Sequence, residues 1–293
     1  MSPVHFFKIS GQGAGLCNQI FSVIYAMITG LERSSYLPVH IVISNFIADY
    51  ENENSAIAPE AMLDMNATNA QLASHGIILH SRNESAEYQS ASYDEAHGWP
   101  NDDNRSLFDA LLTCLRFHND LVQRAYAALA VHGILGRTCN VLHLRNEDDA
   151  LRHWGHMNSL TRDQFESVIR GKYMDLANKY LDKQVPVLVL TYRTHGNPVI
   201  EDMSEAGYRC ITLEKDTASG REYNGVIDLL SAELACNGTL VSCGGSSFSY
   251  TLFARITADR PDSLKRFVTI ELNAINRPEQ VLEFVNNKCF KKR

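Results

Sequence analysis

A near-continuous apolar run, Val185-Pro-Val-Leu-Val-Leu-Thr191, constrains the fold of this chain more than any other stretch. A strand with one wet face alternates apolar and polar residues, whereas a strand without polar positions needs cover on both faces. Strands of that kind belong to parallel sheets flanked by helices, so an α/β architecture is expected. The opening of the chain conforms. Residues 4–9 and 39–43 are rich in aromatic and β-branched residues and read as strands. Between them Gly11-Gln-Gly13-Ala-Gly15 turns into a helix whose Ile20, Ile24, Met27, Ile28 and Leu31 share one face. Strand, glycine turn, helix and strand are the start of a βαβ unit.

The second half repeats the alternation. Strands are predicted at 140–144, 185–191, 208–213, 239–243 and 267–272, with helices from Thr161 and over 227–235. Thr161-Arg-Asp-Gln164 matches a capping box. A last helix is predicted from Pro278, a favourable first-turn residue. Residues 107–131 read as one long helix, ended by Gly133 and Gly136. Residues 49–105 differ in character, with eleven acidic residues against Arg82 and Arg105, and read as loop and short helix forming an acceptor-side rim or a solvated surface. Two α/β halves follow, an N-terminal domain over 1–136 and a C-terminal one over 137–293.

A chain of 293 residues is long enough for both. Its net charge of −7 argues against general affinity for nucleic acid or an anionic membrane, so any phosphate-bearing ligand requires a local site. The seven cysteines form no CxxC pair and several sit inside apolar runs, as buried free thiols do. Neither a signal-type apolar core at the N-terminus nor a window approaching ~18 apolar residues is present, and a reducing, cytoplasmic setting is expected.

Three stretches offer chemistry. Gly13-Ala-Gly15-Leu-Cys-Asn18-Gln19 places backbone amides at a helix start, where a phosphate can be held. It misses the dinucleotide fingerprint, because Leu16 stands where the third glycine would be and Ser44-Asn45 ends the second strand without an acid for a ribose. Asn140-Val-Leu-His143-Leu-Arg145 delivers a histidine and an arginine to the end of a buried strand, just before Asn146-Glu147-Asp148-Asp149. Guanidinium is always charged and can give two parallel hydrogen bonds to phosphate. A core histidine beside a surface ion pair would produce the same pattern. Gly244-Gly-Ser246-Ser247-Phe248-Ser249 follows a buried strand and opens a helix, where serines act either as anion ligands or as helix caps.

Taken in order, the three stretches resemble the motifs of the fucosyltransferase superfamily that includes α1,2-, α1,6- and protein O-fucosyltransferases. Gly15-Leu-Cys-Asn18-Gln19-Ile-Phe21 is similar to its N-terminal motif. His143-Leu-Arg145 is similar to its His-x-Arg motif, and Asp228 through Ser249 to its last motif. The resemblance implies a GT-B fold, two Rossmann-like domains facing a central cleft, and an inverting, metal-independent transfer from a nucleotide sugar to a glycan acceptor. It assigns Arg145 to the leaving diphosphate and Ser246, Ser247 and Phe248 to the phosphates. His143 and Asp228 go to the nucleoside, and Asn18, with Gly13 and Gly15, to the donor from the other domain. No cofactor is implied, and Asp102-Asp103 and Asp148-Asp149 are adjacent pairs, unlike spaced metal clamps. Asp148 and Asp149 are the nearest candidates for a base on the acceptor hydroxyl. GDP-fucose is the family's donor. Because Asn146-Glu-Asp-Asp149 replaces the Arg-Gly-Asp continuation of the α1,2 branch, two alternatives stay open. One is a UDP-sugar such as UDP-xylose on the same scaffold, the other a catalytically silent nucleotide-sugar-binding protein.

Overall fold

The computed structural model describes residues 4–9, 15–48, 55–216, 219–260, 263–285 and 288–292. The chain forms two compact units, Met1–Arg124 with Asp216–Ile227, and Ala125–Lys215 with Asp228–Arg293.

The first unit contains β1 (Val4–Ile9), α1 (Leu16–Arg33), β2 (Val39–Ile43), β3 (Phe46–Ile47), β4 (Ala56–Ile57), α2 (Pro59–Met62), α3 (Met65–Leu72), β5 (Ile77–Ser81), α4 (Ala86–Ser90), β6 (Asp94–Ala96) and α5 (Arg105–Cys114). Four strands make a parallel sheet in the order β5-β2-β1-β6. Four of the five residues of the predicted α1 stripe are buried, Ile20, Ile24, Met27 and Ile28 at most 3% exposed, and Leu31 near the helix end is half-buried. The helix lies so close to β2 that a Cβ on Gly30 would come 2.2 Å from Ile41 Cδ1. Phe21 makes T-shaped contacts with Trp99 and Phe108, which tie 99–108 to the helix.

The long helix predicted over 107–131 is two helices. α5 stops at Cys114, and α6 (Asn119–Val131) starts after an extended segment. There Phe117 bridges Leu63, Asp64 N donates to Arg116 O and His118 N donates to Met62 O. Leu115 and Phe117 are both buried in that extended form. Tertiary pairing outweighs helix propensity here.

The second unit continues from α6 with β7 (Cys139–His143), α7 (Asp148–Met157), α8 (Arg162–Tyr180), β8 (Val187–Leu190), α9 (Pro198–Glu205), β9 (Cys210–Ile211), α10 (Arg221–Ala235, which belongs to the first unit as far as Ile227), β10 (Cys236–Gly244), α11 (Ser247–Asp259), β11 (Arg266–Glu271), β12 (Gln280–Val285) and β13 (Lys288–Lys292). The capping box at Thr161 forms in full. Val187–Leu190 is buried at every position, as the apolar run requires. The helix predicted from Pro278 is instead a pair of antiparallel strands, because the backbone of 280–283 pairs in register with 266–269 of β11 and that of 281–285 with β13.

The sheet order is β13-β12-β11-β10-β7-β8-β9, with parallel pairing from β9 through β11. The chain winds outward from β7 to β8 and β9, then returns to add β10 and β11 on the other side of β7. The strand order therefore reverses between β7 and β10. Ligands of open α/β sheets bind outside the carboxyl ends of the strands at such a switch point. His143 ends one of these two strands and Gly244 the other.

Candidate active site

The switch point gathers most of the residues singled out in the second half. His143 is buried, and its Nδ1 lies 2.9 Å from Ser249 Oγ in the first turn of α11. Ser242 Oγ donates to Ser249 Oγ at 2.5 Å and Cys243 N donates to it at 3.4 Å. With its acceptor positions used, the Ser249 hydroxyl donates to His143 Nδ1, which leaves the imidazole proton on Nε2. Burial, reinforced by the charge of Arg145, lowers the histidine pKa to about 3. His143 is thus a neutral ring with an Nε2–H donor. Phe248 packs on it, with ring centroids 4.7 Å apart.

Arg145 lies two residues past the end of β7. Its Nε is 3.6 Å from Glu147 Oε2 and its Nη2 is 3.7 Å from Asp149 Oδ2. Both separations exceed hydrogen-bond length, so the guanidinium is oriented by charge while its donors remain available to a ligand. Burial works against its charge, but the neighbouring acidic groups, Glu147 foremost, outweigh it and the pKa is raised.

The short loop bearing Arg145 is fixed at three points. Tyr173, fully buried on α8, accepts from Arg145 N at 3.3 Å and donates to His143 O at 3.2 Å. Asn146 and Asn197, each 1% exposed, exchange side-chain amide hydrogen bonds of 2.8 and 3.0 Å. Asn197 also caps α9. Glu147 Oε1 accepts from Tyr192 N at 3.2 Å. Asn146 is therefore a structural lock.

On the β10 side, Gly245 has φ +74°, a left-handed conformation that tolerates glycine best. Gly244 packs against Glu271, whose Oε1 would lie 2.3 Å from an added Cβ. This tight turn delivers Ser246 to the N-cap of α11 and Ser247 and Phe248 to its first turn. The Ser246 side chain makes no capping hydrogen bond. Asp228, buried on α10, forms an ion pair with Lys215. Burial pushes its carboxyl above the usual range, against the pull of Lys215.

The two candidate carboxylates behave differently. Asp148 bridges Arg152 Nη2 at 2.8 Å and Arg162 Nε at 3.0 Å, joining the start of α7 to the start of α8. Asp149 faces Arg145. Among the described residues, no cluster of three or more His, Cys, Asp or Glu could hold a metal ion, and no helix is long and apolar enough to cross a membrane.

Asn18 and Gly15 belong to the first unit, and Gly13 lies outside the described residues. Gly15 is the N-cap of α1, and Asn18 is half-buried in its first turn. The Leu16 amide donates to the Glu222 carboxylate, and a Cβ on Gly15 would lie 3.5 Å from Glu222 Oε2. An internal anion thus sits at this helix start. Gln19 is also committed, since its Oε1 accepts from Ile47 N and its Nε2 donates to Ile47 O.

Tyr173, Lys215 and Glu222 were not singled out from sequence. Tyr173 left a trace, since Phe165, Ile169 and Tyr173 form a stripe at i, i+4, i+8 and a buried phenol needs a partner. Lys215 and Glu222 carry no comparable signal.

The fold is that of GT-B glycosyltransferases, with two Rossmann-like halves. A crystal structure of POFUT1 in complex with GDP-fucose superposes with a TM-score of 0.60 at 11% identity, covering 92% of this chain and 98% of that one. NodZ α-1,6-fucosyltransferase soaked with GDP-fucose gives 0.57 at 12% identity, covering 96% of this chain and 99% of that one. The selenomethionine form of the fucosyltransferase NodZ from Bradyrhizobium gives 0.56 at 13% identity, over 96% and 98%. No protein-family model and no curated protein sequence matches the chain.

Proposed function

We propose that this chain is an inverting, metal-independent glycosyltransferase that moves fucose from GDP-fucose to a glycan hydroxyl. The observation that carries the reading is the switch point of a parallel sheet where His143 meets the first turn of α11, with Arg145 two residues further on and a cap serine that makes no capping hydrogen bond. The fold shared with fucosyltransferases crystallised with GDP-fucose supports the choice of donor.

In this reaction the acceptor oxygen attacks the anomeric carbon while the bond from that carbon to the β-phosphate oxygen breaks. The diphosphate leaves with the electron pair and the configuration inverts. Arg145 stabilises the charge that develops on the leaving oxygen, and the α11 start with Ser246, Ser247 and Phe248 holds the phosphates. His143, through Nε2–H, and Asp228 take the nucleoside. Asp149, which faces Arg145, receives the acceptor proton.

The test is release of free nucleotide from a donor panel that includes GDP-fucose and UDP-xylose, with a mixed glycan acceptor. GDP release that requires the acceptor is expected. UDP release would move the reading to a UDP-sugar, and donor binding without turnover would make the chain a silent binding protein.

A further inference from the structure

We infer that Tyr173 is the positioning residue of the switch-point site, its phenol setting the backbone that carries His143 and Arg145. The inference rests on the functional reading above for its catalytic consequence, but its geometry stands alone.

In a strand the C=O and N–H of each peptide group point to opposite neighbours. Leu144 N donates to Leu190 O on β8, so the His143 carbonyl and the Arg145 amide are directed to the β10 side. The register of β7 with β10 runs only to Leu142 opposite Val241. Beyond it Tyr173 Oη takes the place of a strand peptide, donating to His143 O and accepting from Arg145 N. One hydroxyl therefore bridges the residues on either side of Leu144. Burial pushes the phenol well above its ordinary pKa, which keeps the proton that the bond to His143 O requires. Cys243 Sγ, 4.0 Å from the same oxygen, has its own pKa raised to about 11 by burial and stays a neutral thiol. The clamp is thus uncharged throughout, and it is anchored in the rigid core of α8 rather than in the loop it holds.

A tyrosine present only to fill the core would give up its hydroxyl with no effect beyond stability. A clamp would not, because an arginine displaced by a fraction of an ångström still binds diphosphate but stabilises the leaving oxygen poorly. Tyr173→Phe keeps the ring and removes the bridge. Ile169→Val, one turn earlier in the same buried stripe, lowers stability without touching the loop.

In the free protein, amide hydrogen exchange at Arg145 is expected to accelerate at least about tenfold in Tyr173→Phe, with residues 187–190 still protected. Ile169→Val should leave Arg145 exchange as in wild type. In turnover, Tyr173→Phe should lower kcat by about 10- to 100-fold with the donor KM changed less than about threefold. Ile169→Val should keep the wild-type kcat. Unchanged Arg145 exchange in Tyr173→Phe, or equal kcat losses in the two variants, overturns the inference. A wild-type protein that turns over no donor overturns the functional reading instead, while the exchange measurement still decides whether the clamp exists.

Discussion

Two helices in this chain follow a glycine-rich stretch of sequence, and the chain treats their positive ends in opposite ways. At α1 the first amide is taken by the carboxylate of Glu222, an anion supplied by the protein itself. At α11 the cap serine makes no capping hydrogen bond, the Glu271 carboxylate packs on Gly244 ahead of the turn, and His143 meets Ser249 in the first turn. Sequence motifs written as glycine turn plus helix are alike at both places. What separates a structural helix start from a ligand site is whether a carboxylate of the chain itself takes its first amide.

That contrast can be broken by mutation. The largest effect is expected for Arg145→Ala, which should lower kcat/KM about 100- to 1000-fold by removing transition-state charge stabilisation. Glu222→Ala, measured beside it, should change kcat/KM less than about threefold. Next, Asp149→Asn should lower kcat about 100-fold with donor KM nearly unchanged, while Asp148→Asn stays within about twofold of wild type. A reversed order would transfer the base role to Asp148.

Stability against pH sharpens the picture of the neutral histidine. The pKa of His143 is about 3 in the fold, against an ordinary value of 6.5. The unfolded chain therefore binds this proton first as pH falls. The stabilising contribution is complete above pH 6.5 and is lost progressively down to about pH 3, at about 1.4 kcal/mol per pH unit from this group. Urea unfolding of wild type and His143→Gln between pH 7 and pH 4 should show a shallower acid dependence in the variant. The same neutrality means that no activity limb between pH 5 and 8 belongs to His143.

The smallest effects concern the turns themselves. Gly245→Ala should cost about 1–2 kcal/mol, because a Cβ is placed at φ +74°. Glu222→Ala should cost about 1 kcal/mol by leaving the α1 amide uncapped. Equal losses of nucleotide binding in these two variants would erase the distinction between the helix starts.

Much of the fold was legible in the sequence. Val185–Thr191 demanded cover on both faces, Thr161-x-x-Gln164 announced a helix start, and the α1 stripe fell on the sheet as spaced. The misses share a cause. Residues 115–118 carry helix-compatible apolar spacing, but pairing with Leu63 holds them extended, and Pro278 announced a helix where pairing with β11 decides for strand. Both outcomes depend on partners far away in the chain. The same holds within the site. His143, Arg145 and the serines lie in recognisable runs, whereas Tyr173, Lys215 and Glu222 acquire meaning only through contacts made on folding.

The most direct measurement is the rise in thermal midpoint on adding saturating GDP to wild type, Arg145→Ala and Glu222→Ala, since a ligand selective for the native state stabilises it. The account predicts a shift of several degrees in wild type and in Glu222→Ala, and none in Arg145→Ala. A full shift in Arg145→Ala, or its loss in Glu222→Ala, would contradict the placement of the diphosphate at the β7–β10 switch point.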